Sequence, residues 1–177
     1  VCPVCSTRYD AQAVFCQREG AILVSPGAEL DPYLGRTLFE QFRLDAVLGR
    51  GGMGTVYKAR QLAMGRDVAV KILHRSLVQN PEAVRRFQRE VRLATALDHP
   101  NLVRVFLFGQ LPDGSLYLVM EYLDGRPLTM ALMETPVFEV PRALHVLHQI
   151  AGGLSVAHGR GVVHRDIKPE NLLLVTE

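Results

Sequence analysis

The stretch LGRGGMGTVYKA, residues 48–59, spaces Gly49, Gly51 and Gly54 as G-x-G-x-x-G. Without side chains in the way, backbone amides at such positions can approach phosphate oxygens. The same spacing serves dinucleotide-binding folds, where it leads from a strand into a helix. Here it leads into Thr55, Val56 and Tyr57, which are β-branched or aromatic and favour a strand. The stretch therefore reads as a hairpin lid over a nucleotide, with a merely structural turn as the alternative.

Working outward, residues 42–48 and 66–73 alternate apolar and polar, and residues 55–61 are strand formers, so three strands surround the glycines. In VAVKIL, Val68 and Val70 share one face of a strand, and Ala69 and Lys71 share the other. After Pro81, the apolar residues Val84, Phe87, Val91, Ala94 and Leu97 step by three and four, which predicts a helix. At about 100° per residue, Glu90 falls between Ala94 and Leu97, inside the apolar stripe. A carboxylate buried there is costly unless paired, and Lys71 on the neighbouring strand is its expected partner. Residues 102–110 and 115–122 predict two more strands around the turn Pro112-Asp113-Gly114. A long helix is expected over residues 141–158, with Leu144, Leu147, Ile150, Leu154 and Ala157 on one face, then a short strand at 172–175.

Between that helix and that strand, VVHRDIKPENLLL (162–174) crowds Asp166, Lys168 and Asn171 into six residues. Phosphoryl transfer uses a carboxylate to accept a hydroxyl proton, a cation for the migrating phosphoryl group and an amide oxygen for Mg²⁺. Composition agrees with a globular protein. Of 177 residues, 48% are hydrophobic and 21% charged, which excludes a disordered tail, a collagen-like repeat and a coiled coil. A net charge of +2 offers no electrostatic case for nucleic-acid binding. No apolar run approaches the roughly 18 residues that a membrane span needs, and no secretory leader is seen. The chain opens at Val1 rather than Met, so the natural start is expected upstream.

In this order the motifs resemble the eukaryotic-type protein kinases, and among them the bacterial serine/threonine kinases, over residues 42–177. LGRGGMGTV resembles the family's phosphate-covering loop, VAVK its third-strand lysine, Glu90 its helix glutamate, HPN (99–101) the segment after that helix, and HRDIKPEN its catalytic loop. The resemblance implies an α+β fold. A kinase-like N-lobe (42–123), a five-stranded antiparallel sheet plus one helix, would precede the start of a helical C-lobe (124–177). It also implies ATP and Mg²⁺ as cofactors and protein serine or threonine hydroxyls as substrates. Gly49, Gly51 and Gly54 would cover the phosphates. Leu48, Val56, Ala69 and Leu173 would sandwich adenine, with Met120 as gatekeeper and Glu121 and Leu123 offering a carbonyl and an amide to its edge. Lys71, held by Glu90, would contact the α- and β-phosphates. Asp166 would accept the substrate proton, Lys168 would steady the γ-phosphate and Asn171 would bind Mg²⁺. His164 would brace the loop, and Arg165 beside the aspartate implies activation by phosphorylation, for which a homodimer is the expected assembly.

No DFG motif occurs, and the last residue is Glu177. The chain is accordingly expected to be the front half of such a kinase, cytoplasmic, without a membrane segment, not competent alone, and carrying exposed apolar faces prone to aggregation. A pseudokinase or scaffold that binds nucleotide or partners without transfer is the alternative, and a zinc-ribbon interaction module with a vestigial lobe is a third.

The cysteines cluster. Cys2 and Cys5 form a C-x-x-C knuckle and Cys16 begins what resembles the second knuckle of a zinc ribbon, with Glu19 where the fourth ligand belongs and Asp10 as a second candidate. A structural Zn²⁺ module over residues 1–24, joined by a Pro/Gly-containing linker over 25–41, is the leading reading. A degenerate ribbon without metal and a redox C-x-x-C remain open; the latter lacks a surrounding βαβ pattern.

Overall fold

The computed structural model describes residues 31–78 and 81–175, together with Thr7 and Arg18. Cys2, Cys5, Asp10, Cys16 and Glu19, and with them the expected zinc module, lie outside the described residues.

One six-stranded antiparallel sheet dominates. Its strands are β1 (Thr37–Leu38), β2 (Phe42–Gly51), β3 (Gly54–Gln61), β4 (Arg66–Leu73), β5 (Val105–Gln110) and β6 (Leu116–Glu121), in the spatial order β1-β2-β3-β4-β6-β5. The expected five strands are β2 to β6, and β1 adds a short edge pairing Thr37 with Arg43. Helix α1 (Pro81–Ala94) interrupts the sheet between β4 and β5. Beyond β6 come β7 (Gly125–Pro127), α2 (Leu128–Glu134), α3 (Val140–Gly159) and β8 (Leu173–Val175), with β7 and β8 forming a separate antiparallel pair.

The alternation expected in β4 decides the core. Val68, Val70 and Ile72 join Phe42, Leu44, Tyr57, Ala59, Leu111 and Val119 in one apolar cluster, while Ala69 and Lys71 fall outside it on the opposite face. β4 lies between β3 and β6, so its backbone is paired on both sides, Lys71 standing opposite Val56 and Leu118.

Residues 31–38 differ from the expected linker. Tyr33, Leu34 and Leu38 pack against the core cluster. Backbone bonds from Gly35 N–H to the Leu44 carbonyl (2.8 Å) and from Leu44 N–H to the Arg36 carbonyl (2.9 Å) lay the segment along β2. Pro32 and Gly35 shape a strap across the sheet, because the apolar residues between and after them have core surface to cover. The strap is fastened further by Tyr33 OH donating to Asp113 (2.7 Å) and by the Tyr33 ring meeting Tyr57 edge-on.

Helix α2 and strand β7 escaped the sequence pattern. Seven residues after a proline carry too few turns to show a period, and β7 is a three-residue strand containing Gly125 and Pro127. On α3, Ala157 is buried, Ile150 and Leu154 are half-buried, and Leu144 and Leu147 stand exposed, so the expected stripe is covered only toward its C-terminal end.

Gly54 closes the β2–β3 hairpin against β4. A Cβ there would lie 2.2 Å from the Ile72 carbonyl oxygen and 2.9 Å from the Leu73 Cα, whereas one at Gly52 meets nothing within 4 Å. Gly54→Ala should therefore destabilise the fold by about 1–3 kcal/mol through overpacking against backbone. Gly52→Ala should stay within about 0.5 kcal/mol of wild type. Urea melts of the two variants check the contrast.

Candidate functional site

The glycine loop is a tight hairpin: Arg50 pairs with Thr55 and Gly51 with Gly54, leaving Gly52 and Met53 at the tip. His74, one residue past β4, holds that tip. Its backbone N–H donates to the Met53 carbonyl (3.1 Å), and its ring Nε2 lies 3.0 Å from the Gly51 carbonyl oxygen. A carbonyl only accepts, so Nε2 carries the proton in this contact. Unlike Gly54, Gly49 has no atom within 4 Å of an added Cβ, and Gly51 has only the Gly54 carbonyl oxygen at 4.0 Å. Packing within the chain does not require glycine at either place, and both leave the backbone open to a close-lying group.

Lys71 is half-buried. Burial pushes its pKa below the ordinary lysine range, and the charge of Asp166 partly opposes that shift. Among the described residues no carboxylate lies within ion-pair distance of it. Its expected partner is turned elsewhere: Glu90 is exposed and accepts from Arg165 at 3.2 Å. Helix geometry gives the reason. α1 ends at Ala94, so Leu97 is not on the helix; without Leu97 the stripe runs through Val84, Phe87, Val91 and Ala94, and Glu90 sits just outside it. Both side chains of the Glu90–Arg165 pair are more than half exposed, at 55% and 71%, so it is worth about 0–1 kcal/mol.

The loop after α3 gathers the remaining polar residues. Arg165 adopts a left-handed backbone, φ 64°, which turns the chain sharply just before Asp166. Lys168 Nζ lies 3.1 Å from Asp166 Oδ2. Asn171 Nδ2 donates to the Asp166 carbonyl at 2.8 Å and to its Oδ2 at 2.9 Å. His164 Nδ1 accepts from the Asp166 N–H at 3.4 Å, a long contact in keeping with a bracing part. The bonds from Lys168 and Asn171 hold the Asp166 carboxyl below the usual carboxylate range. With its amide nitrogen spent on Asp166, Asn171 keeps Oδ1, a hard oxygen of the kind Mg²⁺ takes, so the donor chemistry fits that ion.

The apolar candidates lie on the strands of the sheet, on the connection after β6 and on β8. Ala69 is buried and paired with Met120, Val56 is paired with Lys71, and Val68 with Glu121. Leu123 sits in the connection between β6 and β7, and Leu173 opens β8 opposite Pro127. Leu48, at an irregularity of β2, and Leu173 are about half exposed, at 48% and 43%.

A family model described as the protein kinase domain matches residues 42–177. The chain belongs to the protein kinase family. It is 41% identical over 146 residues to the serine/threonine-protein kinase pkn3 of Myxococcus xanthus, covering 82% of this chain and 27% of that protein. To the serine/threonine-protein kinase PrkC of Bacillus subtilis it is 37% identical over 141 residues, covering 80% and 22%. Among solved structures, the Mycobacterium tuberculosis PknI kinase domain superposes with a TM-score of 0.73 at 34% identity, covering 81% of this chain and 57% of that one. The chain thus spans about a quarter of the length of these curated relatives.

Within this kinase chain, two features of the site were not foreseen. His74 grips the glycine loop and Arg165 engages Glu90. VAVKILH would have pointed to His74 had the register of Gly54 opposite Leu73 been readable; nothing local to Arg165 signals a partner 75 residues away. Among the described residues no group of three or more His, Cys, Asp or Glu is arranged to hold a metal ion. A shallow groove of about 380 Å³ along α1, lined by Arg85, Gln88, Arg89, Arg92 and Leu93, shares no residue with the site.

Because the Asp166 pKa is lowered, its ionised form should persist as pH falls through the ordinary carboxylate range, near 4, and be lost only below it. Lys168→Ala removes the largest cause of the shift and should move the Asp166 titration to higher pH. Carboxyl carbon NMR of the two proteins reads both midpoints.

Proposed function

We propose that the protein carrying this chain is an ATP-dependent protein kinase that transfers phosphate to serine or threonine hydroxyls. The single observation that carries the reading is the convergence of Lys71, Asp166, Lys168 and Asn171: Asp166 is bonded to Lys168 and Asn171, and its charge is felt at Lys71. Lys168 two residues after Asp166, and serine/threonine kinases among the relatives, favour hydroxyls of serine and threonine over tyrosine.

The roles follow from chemistry. Adenine lies against Ala69, Val56, Leu48 and Leu173, beside Met120, with the backbone of Glu121 and Leu123 at its edge. Glycine-loop amides and Lys71 meet the phosphates; a lysine pushed toward neutrality by burial gains most from anionic oxygens beside it. Ionised Asp166 accepts the proton as the substrate oxygen bonds to phosphorus and the bond to the leaving diphosphate breaks. Lys168 neutralises the migrating group. Asn171 Oδ1 would hold Mg²⁺, which when bound supplies charge neutralisation at the phosphates. Glu90 would reach Lys71 by a turn of α1 that exchanges its bond to Arg165, itself only a surface ion pair.

In the full-length protein, Asp166→Asn should lower kcat by at least about 100-fold, and Lys71→Met should sharply weaken Mg²⁺-ATP binding. Retained transfer in Asp166→Asn would overturn the reading. ATP binding without transfer in the wild type would favour a pseudokinase or scaffold.

For the cysteines, we propose that Cys2, Cys5 and Cys16, with Glu19, hold one structural Zn²⁺. The spacing supports it, and a segment this short needs metal to supply its folding energy. Elemental analysis should give about one zinc per chain, lost in Cys5→Ser, as a single four-ligand site requires. Cytoplasmic placement and self-association for activating phosphorylation belong to the same proposal. No helix among the described residues is long and apolar enough to cross a membrane.

A further inference from the structure

We propose that Asp31 is a positioning residue for the glycine loop, its carboxylate tying Arg50 to the strap and thereby setting where the loop stands over the nucleotide. The proposal rests on the nucleotide site described above.

Asp31 is almost wholly buried, its side chain 4% exposed, and it collects donors from three directions. Its own turn supplies the N–H groups of Tyr33 (3.0 Å) and Leu34 (3.2 Å) to Oδ1. β3 supplies Tyr57 OH, 2.8 Å from Oδ1 and 2.9 Å from Oδ2. The glycine loop supplies Arg50 Nη2, 2.8 Å from Oδ2. Burial, then the hydrogen bond to Asp31 and after it the Asp31 charge, push the Tyr57 phenol well above its ordinary pKa, so it remains a donor.

Arg50 stands between Gly49 and Gly51, one step from the hairpin tip. Glycine-rich backbone is conformationally loose, and a free guanidinium there could swing toward phosphates. Tyr57 and Val56 are neighbours on β3 and face opposite sides of the sheet. By bonding Asp31 beside Tyr57, Arg50 is held on the face away from Val56, leaving the loop amides rather than a side chain over the phosphates. The anchor is rigid, since the strap is itself fixed to β2 and through Tyr33 to Asp113. Arg50 contributes little packing, its side chain being 60% exposed, so its bond to Asp31 acts on the loop more than on the core.

Asp31→Asn isolates the tie. An asparagine Oδ1 still accepts from Tyr33, Leu34 and Tyr57, while its amide nitrogen cannot accept from Arg50. In the full-length protein, Asp31→Asn and Arg50→Ala should each raise the KM for ATP about three- to tenfold, or about 0.7–1.4 kcal/mol. kcat should change less than about twofold, as loss of uniform binding requires. The double variant should be no worse than either single one, and Arg50→Lys should recover part of the loss. Arg50→Ala, altering an exposed side chain, tests the tie even if Asp31→Asn folds poorly. An ATP KM in Arg50→Ala that is unchanged or lower, or single effects that multiply in the double variant, would overturn the tie while leaving the kinase reading intact. A wild type without transfer sensitive to Asp166→Asn would overturn the kinase reading, and the tie with it.

Discussion

A lysine on the central strand of a sheet, half-buried and with no carboxylate at ion-pair distance among the described residues, is the constraint around which the site is organised. β4 is hydrogen-bonded to β3 and β6, and its Val68, Val70 and Ile72 are committed to the core. Lys71 therefore cannot rotate away from the opposite face without breaking the register that buries them. Its charge is disfavoured there by desolvation and only partly compensated by Asp166. In the function proposed above, anionic ligand oxygens beside Lys71 would relieve that cost.

The surrounding parts are held by contacts of differing strength. The glycine loop is fixed by a glycine that the Ile72 backbone forces, by His74 beneath its carbonyls and by Arg50 on Asp31. The loop carrying Asp166 is fixed internally by Lys168 and Asn171. Glu90, by contrast, is joined to Arg165 through an exposed pair only. Of the described residues on the helix bearing it, Val91 alone is buried.

Most of this arrangement was legible in the amino-acid order, and the failures have physical causes. Period-two alternation marked β4 and put Lys71 on the right face, because a strand buried on one side by a core must alternate. Glycine spacing followed by β-branched residues marked the hairpin. Periodicity places Glu90 on the apolar face only if the stripe runs through Leu97, which lies beyond the last helical residue, and helix ends are set by turn chemistry that periodicity does not see. Asp31 was invisible: an Asp-Pro pair in a Gly/Pro-containing stretch reads as a turn, and nothing local says that a tyrosine 26 residues on will bury its hydroxyl against that carboxylate. The Glu90–Arg165 contact failed to show for the same reason, since long-range polar partners leave no periodic trace.

Labelling of Lys71 by an adenosine acyl phosphate in the full-length protein measures the central point most directly, since acylation is fastest where a bound nucleotide moiety holds the acyl phosphate beside a lysine of lowered pKa. Modification should fall on Lys71, and Mg²⁺-ATP should suppress it. Labelling of Lys71 that ATP leaves unchanged, or labelling confined to a lysine on the surface such as Lys58, would contradict the account.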